Sequence, residues 1–451
     1  MNSRTSILIQ LDFNYLKKCN YIKSSINATR ILKYLKQYFQ NKFSKMDSSN
    51  EKYSYTSLSR VENFPVFEKI YSVCKENQNK FSIELIKKQK KDMIQYKSHL
   101  IKRAQFDDGW FCFYTDNLGE HQFFECKEIV LTVHGFPGNW RDWQPIETYI
   151  GNNFCRWINL FVPGFDGETE TNRGSYKGYL TQLVDLVQRL IKEHLKISQK
   201  MILFGYSGGN IVVRLLQKKY PEICKAHINL VGPTIIWNPA HVYMYHVFNT
   251  FDREFKLREH PEQLEDPKFR EKIYEKFKLF QMGDYFVYEK VPIWCDTHET
   301  LMIWFKKFLS FPEGWSKFYE IGHNQQDILR FYATGDIDPL VDSQLLFYEF
   351  YHNTYLRQVF KITDEETKQK ILSNKYLSQL KNFNFENIQE NFLFMFPRTG
   401  HTIHIKRAYE LAFPLKCFIS LINILPDNYY EINKQQNPKN PYIGKIFMPK
   451  L

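Results

Sequence analysis

The chain has 451 residues, with 61 Lys or Arg against 49 Asp or Glu, which gives a formal net charge of +12. Residues 1–45 contain nine of the basic residues and one acid, so the rest of the chain is nearly neutral and is not expected to bind nucleic acid. The eight cysteines are scattered, and neither they nor the histidines have the spacing of a metal site, so we expect no metal and no other cofactor.

Residues 1–45 form a basic extension with an amphipathic pattern, in which Ile31, Leu35 and Tyr38 share one face of a predicted helix. Three interpretations are open: an organelle transit segment, a helix that contacts a membrane surface, or a stretch that is not translated because the chain starts at Met46. Scattered cysteines suit a reducing compartment, so we expect an intracellular protein, with a mitochondrial location favoured over a cytoplasmic one. The oligomeric state is left open.

Residues 46–100 are polar and then helical, and residues 101–233 are predicted to begin an α/β core. A strand over Trp110–Thr115, followed by a turn signal at Asp116–Gly119, is interpreted as the leading hairpin of a sheet. Further strands are predicted at Glu128–Val133, Trp157–Val162, Met201–Phe204 and Ala226–Val231, with a helix over Leu180–Leu195. This alternation predicts a mostly parallel sheet with helices on both faces.

The first motif is His134-Gly-Phe-Pro-Gly138, which follows the strand Glu128–Val133. Attack on an acyl carbonyl places negative charge on its oxygen, and that charge needs two fixed donors, together called an oxyanion hole. The glycines allow the loop to turn an amide inward, so we expect the N–H of Phe136 to be one donor. His134 precedes the loop and is expected to have a structural role.

The second motif is Gly205-Tyr-Ser-Gly-Gly209, which lies between an apolar strand and the start of an apolar helix. A sharp strand-to-helix turn needs positive φ at its serine and small neighbouring residues, and these glycines meet that need. The pattern is typical of a nucleophile elbow, with Ser207 exposed at the turn. The N–H of Gly208 is then expected to be the second oxyanion donor. A glycine-rich turn with an idle serine is the alternative.

Residues 234–326 break the alternation of strands and helices and are rich in Trp, Phe and Tyr. We interpret them as a helical cap that closes over the serine and excludes water. Most of the rings are expected to pack within the cap itself. Their number nevertheless favours a small apolar acyl or aromatic substrate over a sugar or a phosphate.

Residues 327–425 are predicted to complete the core, beginning with a strand over Asp327–Ala333. An acid at a strand end can orient a histidine and stabilise its charged form. Asp338 is the expected acid, with Asp336 as its competitor and Asp342 as a third choice.

The last predicted strand, Asn391–Phe396, leads to Gly400 and His401, which can reach over the sheet towards Ser207. His404 follows at helical spacing and is expected to be a surface or packing residue. The acidic and basic run that begins at Asp364 indicates an additional exposed helix. Residues 426–451 are expected to be a C-terminal tail.

Taken in order, the loop, the elbow, the segment Gly335-x-x-Asp338 and Gly400-His401 resemble the α/β-hydrolase superfamily over residues 100–425. The resemblance implies a mostly parallel eight-stranded sheet with helices on both faces and a helical cap inserted after the sixth strand. It also implies a catalytic triad with Ser207 as nucleophile, Asp338 as acid and His401 as base, since Asp338 stands three residues after Gly335, where the family's acid usually stands.

The stretch His134–Trp143 is similar to the branch that contains epoxide hydrolases and haloalkane dehalogenases. Those enzymes attack with an aspartate, whereas this chain has Ser207, which disfavours epoxide opening and favours acyl transfer to water. The sequence therefore predicts a serine hydrolase that cleaves a carboxylic ester, such as a lipid ester or a thioester, through an acyl-enzyme on Ser207. The alternative is a catalytically silent scaffold or a subunit of a larger assembly.

Overall fold

The structure, a computed structural model, describes residues 72–77, 80, 100–121, 123–135, 140–162, 180–232, 263, 266, 268–269, 272, 328–336, 338, 350, 359–397 and 399–436. All of them belong to the compact unit of residues 62–440. The predicted extension of residues 1–45 lies outside the described residues. So do most of the region 46–100, nearly all of the predicted cap at 234–326, and the tail beyond residue 436.

The described residues form one sheet with helices around it. The strands are β1 (Ile101–Gln105), β2 (Phe111–Asp116), β3 (Ile129–Val133), β4 (Arg156–Leu160), β5 (Met201–Tyr206), β6 (Cys224–Leu230), β7 (Arg330–Gly335) and β8 (Leu393–Phe396). The α-helices are α1 (Gln144–Ile150), α2 (Leu180–Arg189), α3 (Gly209–Lys219), α4 (Glu365–Ser373), α5 (Ile403–Lys406), α6 (Ala408–Ile424) and α7 (Tyr429–Gln436). Short 3-10 helices cover Trp140–Trp143, Pro221–Ile223, Leu377–Gln379 and Ile388–Phe392, and a π-helix covers Leu190–His194.

The sheet has eight strands in the order β1-β2-β4-β3-β5-β6-β7-β8. β2 pairs antiparallel with β1 and β4. The six strands β3 to β8 are all parallel to one another. The register places Val133 beside Gly205 and Leu230 beside Ala333. The carboxyl ends of β3, β5, β6 and β7 are therefore neighbours, and the segments that leave these ends can share one site.

Burial on both faces explains why the central strands are almost continuously apolar. Every residue of β3, β5 and β7 is buried. Because side chains alternate along a strand, Ile202, Phe204 and Tyr206 join the core shared with α1 and α6. The intervening residues face the other side of the sheet, where α3 packs on β5 and α2 packs on α3. Full burial of each such large side chain stabilises the fold by about 1.5–3 kcal/mol. The predicted eight-stranded, mostly parallel sheet is thus confirmed.

The leading hairpin differs from the prediction. It consists of β1 and β2, with its turn between Phe106 and Trp110, where the N–H of Phe106 donates to the carbonyl of Trp110. The turn signal at Asp116–Gly119 instead follows β2. The sequence did not indicate β1 because this strand pairs only with β2 among the described residues, and Lys102 and Arg103 lie in its centre. A short, charged strand at a sheet edge lacks the alternation that identifies a half-buried strand.

Two helices of the second half of the chain have contrasting environments. The predicted exposed helix is α4, whose N-cap Asp364 accepts hydrogen bonds from the N–H groups of Glu366 and Thr367. Helix α6 packs on α1, and Leu411, Leu415 and Phe418 are among its buried residues. Within the described part of the chain, no single helix is long and apolar enough to cross a membrane. Ala408–Ile424 and Tyr429–Gln435 satisfy length and composition only as a pair, which is bent by 79°.

Candidate active site

Ser207 directly follows β5 and is partly buried. Its φ is +47°, the left-handed region that a residue other than glycine rarely adopts. Its N–H donates to the carbonyl of Leu230, at the end of the adjacent strand β6, over 2.9 Å. Such a backbone costs of order 1–3 kcal/mol and persists only where its surroundings hold it. The strand-to-helix turn predicted at Ser207 is therefore present in its strained form.

Close approach of the β3 end to the elbow explains two of the glycines around Ser207. A Cβ on Gly209 would collide with the carbonyl oxygens of Val133 and His134. A Cβ on Gly135 would lie 2.9 Å from the ring of Tyr206 and 3.1 Å from the Cβ of Ser207. The first neighbours are backbone carbonyls and the Tyr206 ring is fully buried, so these groups cannot withdraw. The segment that enters the predicted oxyanion loop thus passes directly beside Ser207.

The side chains of Ser207, His401 and Asp338 form one hydrogen-bonded chain. The Nε2 of His401 lies 2.7 Å from the Oγ of Ser207, and its Nδ1 lies 2.7 Å from the Oδ2 of Asp338. The Asp338 side chain is fully buried and that of His401 is only 2% exposed. An ionised carboxylate can only accept, so Nδ1 carries the proton and the lone pair of Nε2 faces the serine hydroxyl. This arrangement can remove the proton from Ser207.

Asp336 has a different position from Asp338, although both were candidates for the acid. Its Oδ1 accepts a hydrogen bond from the N–H of Thr399 over 3.1 Å. Arg407 holds the same loop, because its Nε donates to the Oγ1 of Thr399 and its Nη2 donates to the carbonyl of Pro397. These bonds fix the segment that carries His401. The third candidate, Asp342, lies outside the described residues.

His134 is buried at the end of β3 and has both ring nitrogens bonded. The N–H of Val162 donates to its Nε2 over 3.0 Å, so its Nδ1 carries the proton and donates to the carbonyl of Gly135 over 2.8 Å. Burial lowers the pKa of His134 to about 4, which keeps the ring neutral. The residue therefore ties the loop entrance to the segment after β4, which is a structural arrangement.

Of the two expected oxyanion donors, Gly208 lies among the described residues. Gly208 is the N-cap of α3, at the helix end where N–H groups lack acceptors within the helix. Its amide lies next to Ser207 in the chain, and the helix dipole also favours negative charge there. Phe136 lies outside the described residues, so its expected role stays a prediction.

His404 packs beneath the site. Its ring centroid lies 3.7 Å from that of Tyr206 and 6.4 Å from that of Trp143. Burial and the nearby His401 hold the pKa of His404 well below its usual range. The Tyr206 ring also contacts His401, with 5.4 Å between centroids. His404 thus has the packing environment that the sequence suggested.

Sequence reasoning missed two residues beside the serine. Asn210 and His227 are both buried, and they hydrogen-bond to each other below the elbow. The available signals were a polar residue directly before the apolar run Ile211–Val213 of α3 and a histidine between Ala226 and Ile228 in β6. Neither signal identifies the residue with which the side chain forms its hydrogen bond, because the pairing of β5 with β6 creates the contact.

Among the residues that the structure describes, no group of three or more His, Cys, Asp or Glu side chains could hold a metal ion. The expectation that no cofactor is needed stays a prediction from the sequence.

No protein-family model and no curated protein matches the sequence. Similar solved structures include an α/β hydrolase fold protein from Burkholderia ambifaria, with 13% identity, a TM-score of 0.44, and coverage of 69% of this chain and 96% of that one. A carboxylesterase structure from Nitrososphaera gargenis has 15% identity and a TM-score of 0.44, and covers 71% and 98%. Epoxide hydrolase VrEH1 from Vigna radiata has 15% identity and a TM-score of 0.41, and covers 75% and 100%.

The topology of the sheet and the order of the site residues along the chain identify the fold. The sheet is mostly parallel, the strained serine joins β5 to α3, and serine, aspartate and histidine follow one another in that order. A strand-to-helix elbow at the carboxyl end of a mostly parallel sheet, followed along the chain by an aspartate and then a histidine, is the arrangement of the α/β-hydrolase fold. The chain therefore has the α/β-hydrolase fold.

Proposed function

We propose that the protein is a serine hydrolase that cleaves a carboxylic ester, such as a lipid ester or a thioester, through an acyl-enzyme. The observation that carries this proposal is the hydrogen-bonded chain from Ser207 through His401 to Asp338. A serine hydroxyl is a weak nucleophile at neutral pH and needs an adjacent base. Here the lone pair on the Nε2 of His401 faces the hydroxyl of Ser207, and its Nδ1 donates to the buried carboxylate of Asp338.

In the acylation step, the Oγ of Ser207 attacks the acyl carbonyl carbon while the Nε2 of His401 takes the hydroxyl proton. The carbonyl π electrons move to its oxygen, and Asp338 stabilises the imidazolium that forms. The N–H groups of Gly208 and Phe136 are the proposed donors to the negative oxygen. His401 then returns the proton to the departing alkoxide or thiolate as the bond to the acyl carbon breaks.

Deacylation uses the same residues, with water as the nucleophile and Ser207 as the leaving group. His401 takes a proton from a water molecule as its oxygen attacks the acyl carbon of the Ser207 ester. Collapse of the second tetrahedral intermediate breaks the bond to Oγ, and His401 gives its proton back to the serine. The products are a carboxylic acid and the free enzyme, so the cycle needs no other reactant than water.

The nucleophile separates this proposal from epoxide opening. A carboxylate nucleophile attacks without losing a proton, whereas Ser207 must lose one to a base. The contact between His401 and Ser207 supplies that base, which is what acyl transfer requires. The preference for an apolar acyl group is carried by the aromatic residues of the predicted cap at 234–326, and so by the sequence alone.

Labelling with a fluorophosphonate probe tests the proposed nucleophile. Wild-type protein is expected to label, and Ser207→Ala is expected to lose labelling completely. Ser373→Ala is the matched control, because it removes an exposed serine at the end of α4 and should label as wild type does. Folded wild-type protein that does not label would contradict the proposal and favour a silent scaffold.

A chain-length series of p-nitrophenyl esters tests the proposed acyl group. We expect kcat/KM to rise with acyl length until the apolar pocket is filled, because each buried methylene contributes about 0.8 kcal/mol. A profile that is flat, or one that falls from acetate onward, would contradict an apolar acyl site while leaving the nucleophile in place.

A further inference from the structure

Asn210 lies in the first turn of α3, three residues after Ser207, and is fully buried. Its Nδ2 donates to the carbonyl of Ser207 over 3.2 Å and to the carbonyl of Leu230 over 3.1 Å. The Leu230 carbonyl also accepts the N–H of Ser207. One side-chain amide therefore closes a ring of hydrogen bonds around the backbone of the proposed nucleophile.

The two carbonyls belong to peptides at two strained residues. Ser207 has a φ of +47° and Val231 has a φ of +41°. For a β-branched residue such as Val231 this conformation is a genuine outlier. Each residue directly follows one of two neighbouring parallel strands, β5 or β6. The peptide that leaves Ser207 and the peptide that enters Val231 are thus held by the same amide, which stabilises both strained turns together.

His227 fixes the orientation of that amide. Its Nε2 lies 2.9 Å from the Oδ1 of Asn210. Because Nδ2 already donates to two carbonyls, Oδ1 must be the acceptor, so the Nε2 of His227 carries the proton and donates. Burial, together with the nearby Arg330 and Arg214, holds the pKa of His227 well below its usual range. The ring is neutral, and it prevents the amide from flipping.

The space around Asn210 fits this side chain closely. A Cβ on Gly205 would lie 2.5 Å from its Oδ1, and a Cβ on Gly232 would lie 2.8 Å from its Nδ2. Both sides of the amide are therefore in contact with backbone. A side chain one methylene longer would displace the turn, and a shorter one would leave buried carbonyls without their donor.

We propose that Asn210 and His227 form a positioning pair that holds Ser207 in line with His401. The inference rests on the proposed function, because its effect is on the reactivity of Ser207. Neither residue touches the substrate or transfers a proton. The pair acts through the backbone of the nucleophile, and a shift of the reacting atom by about 1 Å can cost a hundredfold in rate.

The main test is the rate of fluorophosphonate inactivation as a function of probe concentration. Asn210→Asp keeps the size of the side chain and removes both amide donors. We expect its maximal inactivation rate constant to fall between about tenfold and a hundredfold. The half-saturating probe concentration should stay unchanged, because the variant does not alter the surface that binds the probe.

Asn117→Asp is the matched control. The Nδ2 of Asn117 donates to the carbonyls of Asn152 and Cys155, over 2.9 and 3.1 Å, and its Oδ1 accepts the N–H of Trp157 over 2.8 Å. The Asn117→Asp variant loses the same kinds of hydrogen bond as Asn210→Asp. These bonds lie beside the start of β4, at the end of the sheet opposite Ser207. We expect a lower Tm with a wild-type inactivation rate constant.

A second pair of variants tests the orienting role of His227. His227→Gln keeps an N–H in place of Nε2, and its rate constant should stay within about threefold of wild type. His227→Leu removes the donor and should be slowed about tenfold or more. This pair also decides the matter if Asn210→Asp does not fold. If His227 only filled space, the Gln and Leu variants would have similar rate constants, because both side chains fill the space. A faster Gln variant therefore indicates that the N–H is needed.

The outcomes separate the two proposals. If wild-type protein labels but Asn210→Asp and His227→Leu label at the wild-type rate, the positioning pair is wrong and the proposed function stands. If Asn210→Asp and Asn117→Asp are slowed equally, the effect is one of general destabilisation and the inference is overturned. If wild-type protein does not label at all, the proposed function fails, and the inference falls with it.

Discussion

The two ends of the central sheet use buried polar groups for different purposes. At the carboxyl ends of the parallel strands, Ser207 and Val231 have positive φ, and the Asn210 amide bonds the backbone of both turns. Next to them, Asp338 orients His401 through one buried hydrogen bond. Polar groups here hold a strained backbone and the proposed base in place.

At the amino ends of the same strands, polar groups mainly neutralise one another. Arg156 forms a bidentate pair with Asp116. Lys225, at the start of β6, pairs with Glu128, just before β3, over 2.8 Å. Asn117 satisfies ordinary backbone groups beside the start of β4. None of these contacts reaches Ser207, His401 or Asp338.

The two ends of the sheet should therefore respond differently to mutation. Changes at the carboxyl end should alter the reactivity of Ser207 more than they alter folding stability, since strain there is maintained for geometry. Changes at the amino end should alter stability and leave reactivity per folded molecule intact. An amino-end variant that slows the labelling of Ser207 per folded molecule would show that the two ends are coupled.

The largest effect is expected from Asp338→Asn. An asparagine of the same size cannot hold His401 in the tautomer that leaves Nε2 free, nor stabilise the imidazolium. We expect kcat for an ester substrate to fall by about three to four orders of magnitude. Thermal unfolding should change much less, because the side chain keeps its volume.

Asp336→Asn is the matched variant for that prediction. The Oδ1 of Asp336 accepts a hydrogen bond from the N–H of Thr399, and an asparagine Oδ1 can accept the same bond. We expect a loss of about tenfold or less in kcat. If Asp336→Asn loses more activity than Asp338→Asn, the assignment of the acid is wrong.

The next effect concerns pH, and it also arises mainly at the carboxyl end. His134 has a folded pKa of about 4 against an ordinary value of 6.5, and burial holds the pKa of His227 and His404 well below that value as well. Below pH 6.5 these rings take up protons in the unfolded chain but not in the folded one. Unfolding then binds protons, so stability must fall as the pH falls.

His134, with its folded pKa of about 4, should cost about 1.4 kcal/mol of unfolding free energy between pH 7.5 and pH 5.5, and His227 and His404 should add to this loss in the same direction. Urea unfolding at the two pH values measures the sum. Glu128 opposes the trend, because burial raises its pKa and its contribution to stability decreases as the pH rises. The loss of stability on acidification is expected to exceed the opposing effect of Glu128, since three buried imidazole rings act against this one carboxyl.

His404→Phe isolates one of the three contributions. Phenylalanine keeps a ring against Tyr206 and Trp143 but cannot titrate. The variant should lose less unfolding free energy than wild type over the same pH interval, because the unfolded chain then has one fewer imidazole to protonate. An identical pH dependence in both proteins would mean that His404 is not held neutral by burial.

Sequence reasoning succeeded where one short segment contains the whole signal. The apolar run of β5, the glycines around Ser207 and the helix after them are adjacent in the chain, so the elbow could be predicted. The choice of Asp338 over Asp336 depended on the spacing from Gly335 in the family. The structure brings Asp338 to His401 across 63 positions, a contact that no local pattern specifies.

What the sequence missed depends on contacts between distant segments. The hydrogen bond of Asn210 to His227 exists only because β5 and β6 pair in one register, with Leu203 beside His227. Strand β1 was missed because a short, charged strand at a sheet edge is stabilised by its partner and not by its own pattern. Both cases are tertiary effects that override local preference.

The smallest effect on the reactivity of Ser207 is expected at the amino end, from Asp116→Asn. The Asp116 carboxylate is 3% exposed and accepts two hydrogen bonds from Arg156, which is itself 14% exposed. Removing the charge leaves a largely buried guanidinium without its counterion, so we expect the free energy of unfolding to fall by about 1–3 kcal/mol. Urea unfolding measures this loss, and the maximal labelling rate constant of Ser207 should not change.

A double-mutant cycle with Arg156→Met then tests whether the loss belongs to the ion pair. Because methionine keeps an apolar stem but no charge, the two substitutions should together cost less than the sum of their separate effects, with an interaction energy of about 0.5–3 kcal/mol. Strict additivity would assign the loss to the hydrogen bond from the N–H of Leu118 to Asp116 instead. A slower labelling of Ser207 in the folded Asp116→Asn protein would contradict the separation of the two ends, since this pair lies at the opposite end of the sheet.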